Sequence, residues 1–132
     1  MARLTKKGRR LHGPPFIMLP RWVYDCPAFR SLKPGPRVLL LAVLRRFNGS
    51  NNGSIGLGVR EAAAECNVSD KDTIRTYFAA LEDRGFLRAT FRGAFNLKDP
   101  TQNRATEWRL TWLDSPGIRP TKEFMDWTPD LD

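Results

Sequence analysis

Residues 59–87, VREAAAECNVSDKDTIRTYFAALEDRGFL, constrain the fold more than any other stretch of the chain. They read as two short helices joined by a tight turn and followed at once by a strand. The first helix carries Ala62, Ala63 and Ala64, small side chains that let another helix come close. Cys66, Asn67 and Val68 lead out of it. Ser69 or Asp70 can then cap a second helix, a side-chain oxygen accepting a backbone N–H that the first turn leaves free. Asp72 adds negative charge near the positive end of that helix. Ile74, Phe78 and Leu81 recur at helical spacing with Tyr77 at the edge of the same face, while Arg75, Thr76, Ala79 and Glu82 fall elsewhere on the wheel. Gly85 stops the helix as a residue tolerant of positive φ does.

Upstream, Pro36 suits a first helical turn, where its missing N–H is not needed. Val38 to Leu44 follow, and Phe47 closes the apolar run. A helix apolar on most sides is expected to be the central, buried one. Asn48 and Gly49 end it, Ser50 to Ser54 form a turn-rich loop, and Ile55-Gly56-Leu57 reads as a short strand.

After Gly85 the period changes from helical to alternating. Leu87, Ala89 and Phe91 take one face, and Arg88, Thr90 and Arg92 the other. Residues 105–112 alternate again, with Trp108, Leu110 and Trp112 on one side and Glu107, Arg109 and Thr111 on the other. Two such runs joined by a polar loop predict an antiparallel hairpin. Its loop, Gly93 to Arg104, carries Asn96, Lys98, Gln102, Asn103 and Arg104.

This arrangement resembles the winged helix-turn-helix of bacterial DNA-binding proteins over roughly residues 36–112. In that family a run like A-x-x-x-G-V-S-x-x-T-V leads into L-x-x-L-x-x-x-G-L-V. The chain offers Ala63, then Asn67-Val68-Ser69, Thr73-Ile74, Ala80-Leu81 and Gly85-Phe86-Leu87. Asn67 stands where the family usually has a turn glycine, a substitution the left-handed region tolerates. Asp70, Lys71 and Asp72 fill a stretch where the pattern has two residues. The resemblance implies an α+β fold of about three core helices plus a β-hairpin wing, with N- and C-terminal extensions. It also implies a wing that lies along a phosphate backbone or in a minor groove.

Charge agrees with such a partner. The formal net charge is +8. Residues 1–112 hold 20 Lys/Arg against 9 Asp/Glu, whereas residues 113–132 hold 2 against 5. A basic body suits a polyanion, since each neutralised phosphate releases a counterion; solubility alone is the competing reading. Residues 1–13 read as a basic, disordered arm with Arg3, Lys6, Lys7, Arg9 and Arg10, able to lie along phosphates or in a minor groove, or else as a plain solvated tail. No signal-peptide core follows it and no run is long enough to span a membrane, so the expected location is the cytoplasm, on the nucleoid when bound.

Residues 14–33 are apolar and punctuated by Pro14, Pro15, Pro20 and Pro27, which predicts an extended piece and one or two helical turns. Phe16, Ile17, Leu19, Trp22, Val23 and Phe29 need burial, on the core or against a second copy. The acidic tail, 113–132, holds Phe124, Met125 and Trp127 in an expected short helix from Thr121 to Trp127 with Thr121 as its cap, again docking on its own domain or on a partner. A homodimer is the expectation from these two segments.

Catalysis has little support. His12 is the only histidine, Cys26 and Cys66 are far apart, and there is no C-x-x-C, so no metal or other cofactor is expected. Two cysteines without a secretion signal suggest reduced thiols, Cys66 being most simply a buried small hydrophobe. Gly53, Gly56 and Gly58 lack the phosphate-loop lysine. Glu82 and Asp83 are neighbours that do not face each other and read as the solvated end of a helix.

The expected function is therefore double-stranded DNA binding by a domain spanning 14–112, most simply as a transcriptional regulator. The helix from about Ser69 to Arg84 would enter the major groove, with Lys71, Thr73, Arg75 and Thr76 for base and phosphate contacts. Arg92, Lys98 and Arg104 would flank it from the wing, and Arg9 and Arg10 add attraction from the arm. One alternative is a replication initiator or accessory factor, since the layout is similar to winged-helix domains of phage and plasmid replication proteins. Another, of a different class, is a winged-helix protein-interaction module.

Overall fold

The computed structural model describes residues 14–93 and 104–129. They form a mixed α+β unit in the order α1 (Arg21–Tyr24), α2 (Pro27–Arg30), α3 (Pro34–Arg46), β1 (Ile55–Gly56), α4 (Val59–Cys66), α5 (Lys71–Arg84), β2 (Leu87–Phe91) and β3 (Glu107–Leu110), closed by a 3₁₀ turn, Glu123–Asp126. Helices α3, α4 and α5 pack pairwise on one another. The three strands make one antiparallel sheet in the order β1-β3-β2.

The turn between α4 and α5 is built from local chemistry. Asn67 closes α4 in the left-handed region (φ 57°, ψ 44°), and the Val68 N–H reaches back to the Ala63 carbonyl at 2.9 Å. Asp70, not Ser69, caps α5: its carboxylate accepts the Asp72 N–H at 2.9 Å and the Thr73 hydroxyl at 3.1 Å. The helix accordingly starts at Lys71. Ile74, Phe78 and Leu81 are buried beneath it. Ala62 and Ala63 are buried and Ala64 is exposed, so the small-residue contact uses only two of the three alanines. Gly35, in the first turn of α3, lies so close to Tyr77 of α5 that any side chain there would overlap the phenol ring.

Helix α3 is less enclosed than its apolar run suggests. Leu39, Leu40, Ala42, Val43 and Leu44 are buried, but Val38 and Leu41 keep 44 % and 40 % of their surface exposed. The loop after it is held by Asn52, whose amide is buried. Its nitrogen donates to the carbonyls of Leu110, Leu113 and Asp114 at 2.9, 3.1 and 3.2 Å, and its oxygen accepts the Leu110 N–H at 2.7 Å. A buried amide with its bonds satisfied fixes the loop to β3.

One expectation about the sheet and one about the tail need correction. Strand β3 ends at Leu110, and the alternation beyond it does not divide core from solvent: Arg109 and Thr111 are buried as well as Trp108, Leu110 and Trp112. The reason is the tail, which covers the second face. The N–H groups of Thr121 and Lys122 donate to the Thr111 carbonyl at 2.9 and 3.1 Å, the Thr111 hydroxyl donates to Gly85 O at 2.7 Å, and Arg109 reaches the Thr121 hydroxyl at 3.3 Å. The expected helix from Thr121 shrinks to the 3₁₀ turn. Lys122 takes a left-handed φ of 51° before it, and the Thr121 hydroxyl turns to the Glu123 carboxylate instead of capping.

The tail docks on its own chain. Phe124 is fully buried, stacked on Phe86 (4.6 Å between centroids) and on Trp22 (5.9 Å). Phe86 also meets Phe29 and Trp112 edge-on at 6.2 and 6.4 Å. Trp127 lies under the Arg84 guanidinium at 4.9 Å. Of the residues expected to need burial at the N-terminal side, Val23 and Phe29 enter the core and Leu19 is half-buried. Phe16, Ile17 and Trp22 keep 62, 44 and 44 % of their surface exposed, beside exposed Met18, Tyr24 and Met125. The aromatics Phe29 and Phe124, which pointed to a second copy, are thus taken up within one chain. Among the described residues no helix is long and apolar enough to cross a membrane.

Candidate nucleic-acid interface

Helix α5 turns two sides outward. Its buried stripe, Ile74, Phe78 and Leu81, leaves Lys71, Asp72, Arg75, Thr76, Ala79 and Asp83 exposed. The hairpin stands beside this face. Its strands pinch where Gly93 meets the backbone of Arg104 and Thr106; a side chain on Gly93 would overlap the Arg104 carbonyl. The Gly93 N–H bonds the Thr106 hydroxyl at 3.0 Å. A bulge between Ala89 and Phe91 shifts the register of β2 just before this neck.

Between α5 and the sheet lies an open cleft of about 200 Å³, lined by Leu57, Val59, Arg75, Phe78, Ala79, Glu82, Arg92, Thr106 and Trp108. Its floor is rigid. The rings of Phe78 and Trp108 stack at 4.7 Å, nearly parallel, and the indole N–H of Trp108 donates to Leu57 O at 3.0 Å. Its walls bring together two of the expected contact residues from different parts of the fold: Arg75 from α5 and Arg92 just past the end of β2.

None of the three described arginines expected at the interface is a bare cation. Arg75 holds Asp72 at 2.6 Å, one helical turn back. Arg92 holds Glu82 through both terminal nitrogens, at 2.5 and 3.3 Å, and lies 5.7 Å from the Trp108 ring centre. Arg104 holds Glu107 at 2.7 Å and covers the Phe91 ring at 3.6 Å. Hydrogen bonding to Glu82 raises the Arg92 pKa above the ordinary guanidinium value, the nearby negative charge acting the same way and burial against it. The hydroxyls are engaged too: Thr73 with Asp70, and Thr76 with the Thr73 carbonyl at 2.6 Å. Lys71 stands exposed at the start of α5. Lys98, Arg9 and Arg10 lie outside the described residues.

Glu82 was missed by the sequence reading, which left it with Asp83 as a solvated helix end. Only Asp83 is exposed; the Glu82 side chain keeps 23 % of its surface and belongs to the cleft. The signal was available. Arg75, Ala79 and Glu82 are spaced as one side of a helix, and Arg92 is the first cation after the strand that follows. Cys66 also differs from expectation. It is half-buried, and burial, with Glu65 beside it, pushes its thiol pKa up while Arg46 pulls it down. Cys26 and Cys66 are free thiols. Among the described residues no group of three or more His, Cys, Asp or Glu side chains could hold a metal ion.

Comparison with protein-family models, with curated proteins and with solved structures returns no match for this chain.

Proposed function

We propose that the chain is a winged helix-turn-helix protein that binds double-stranded DNA, with α5 in the major groove and the β2–β3 hairpin as the wing, and that it serves as a transcriptional regulator. The order α3-β1-α4-α5-β2-β3 supports the fold reading, with the short strand between the first two of the three longer helices and a hairpin after the third. The observation that carries the functional reading is the shared cleft: a cation of the helix and a cation of the hairpin line one wall-to-wall space beside an exposed, polar helix face. A major groove is wide enough to admit a helix, while phosphates on its rim would meet the hairpin side chains.

The carboxylates speak for a second reading. Asp72, Glu82 and Glu107 each neutralise one of the arginines, as on a face that meets another protein. Fluorescence anisotropy with labelled duplexes at moderate salt separates the two. Under the DNA reading the protein binds duplex, and Arg75→Ala weakens the preferred site by roughly 1–3 kcal/mol and relaxes base preference. Equal loss on scrambled DNA would make Arg75 a phosphate contact. No duplex binding at all would leave the protein-interaction module. The stoichiometry of the same titration reads whether two chains share a site, a pairing for which exposed Phe16, Ile17, Met18 and Trp22 provide apolar surface.

A further inference from the structure

A carboxylate set among the cations of a DNA-binding face needs a reason. Glu82 lies two helical turns after Arg75 on the same side of α5 and lines the cleft with Arg75, Arg92 and Thr106. It grips Arg92 at two points, 2.5 Å and 3.3 Å, which fixes the plane of the guanidinium as well as its position. The anchor is seated and the cation is outside: 23 % of the Glu82 side chain is exposed against 67 % of Arg92. The Trp108 ring behind the guanidinium is itself pinned by its bond to Leu57 O.

The other helix pair is built differently. Asp72 and Arg75 make one contact, and the carboxylate is 86 % exposed, so water competes for it freely. Exposed pairs of that kind contribute little and open easily. Arg104 is held by a similarly seated carboxylate, Glu107, 23 % exposed, but only Arg92 lines the cleft with Arg75, so within the cleft Arg92 is the cation whose availability the fold controls.

We propose that Glu82 is a positioning residue of the DNA-binding face that controls when Arg92 engages DNA, holding it back from the phosphates of an arbitrary duplex and giving it up only where α5 fits its site. This rests on the duplex-binding reading above. Sequence-independent attraction follows the number of cations free to displace counterions, so a latched arginine lowers it. In a fitted complex the phosphate is held close by the other contacts, so the guanidinium exchanges one oxygen partner for another, and the broken Glu82 contact is a cost that only this complex carries.

The test uses the full chain, a preferred duplex selected from random DNA, and a scrambled duplex of equal length. Anisotropy is read across a salt series for wild type, Glu82→Gln and Asp83→Asn. Asp83 is the adjacent carboxylate, exposed and without an ion pair among the described residues, so its variant reports the charge change alone. Glu82→Gln should tighten the scrambled duplex and steepen its salt dependence by about one counterion, because Arg92 now joins that complex. It should tighten the preferred duplex at least as much, because that complex no longer has to break the Glu82–Arg92 pair, with little change in its salt dependence. Asp83→Asn should move both duplexes slightly and equally. Glu82→Gln behaving like Asp83→Asn, or steepening the salt dependence of both duplexes alike, would overturn the proposal while leaving duplex binding intact. Wild type that binds neither duplex would overturn the duplex reading and the proposal together.

Discussion

Helices α4 and α5 and the C-terminal segment 111–127 pack on one aromatic core but are fixed by opposite kinds of contact. In the helix pair every decisive bond is short-range in sequence. Asn67 turns the chain, Asp70 caps α5 two residues ahead of the N–H it accepts, and Gly85 ends it with a φ of 90°. In the tail the decisive bonds are distant: Thr111 to Gly85 and to Thr121, Phe124 to Phe86 and Trp22, Arg88 to Glu123 at 2.7 Å. The helix pair is an element that local rules specify; the tail has shape only because the rest of the domain is already folded. A tail of this kind should loosen without disturbing the helix face, and damage to the helix face should spare the tail.

The largest expected effect breaks the tail side. Phe124→Ala removes a fully buried ring that meets three others, at a cost of about 3–5 kcal/mol. Urea unfolding followed by tryptophan fluorescence measures it, since Trp22 and Trp112 line the same cluster. A cost under 1 kcal/mol would mean that the tail is an appendage. Gly85→Ala is next, because Gly85 belongs to both regions. Its positive φ disfavours a Cβ, and that Cβ would stand 2.7 Å from Glu123 Cβ and 2.8 Å from Phe124 N. Strain of this sort costs about 1–3 kcal/mol. Gly85→Asn, which tolerates the conformation better but meets the same atoms, should recover only part of it. Full recovery would show that tail contact contributes nothing there. The smallest effect sharpens the helix side: Asp70→Ala should cost about 1 kcal/mol through the lost cap. Hydrogen exchange should show the loss confined to the first turn of α5, with the amides of 121–127 unchanged.

The same contrast explains what could be read from the sequence. The two-helix unit, its turn, the Gly85 stop, the short β1 and the hairpin were legible because Asn67, Asp70, Gly85 and the alternating 87–91 act on their near neighbours. Val38 and Leu41 were misjudged since an apolar run carries no mark of how many neighbours surround it. Alternation placed Arg109 and Thr111 on the second face but carried no mark of what covers it. In the cleft, Arg75 and Arg92 were legible as cations on a helix and a hairpin. Their carboxylate partners were not, because a Glu–Arg pair across two elements depends on the register of α5 against β2, which no local pattern fixes.

The central claim, that α5 and the hairpin rather than the aromatic tail side meet DNA, is tested most directly by titrating a short duplex into the ¹⁵N-labelled full chain and following amide and arginine side-chain resonances. The account predicts shifts concentrated in 69–83 and at Arg92, Gly93 and Thr106, with the Arg92 side chain moving as it leaves Glu82, and little change at Trp22, Phe124 or Trp127. Shifts centred on residues 16–24 and 122–127, or no shift at any residue, would contradict it.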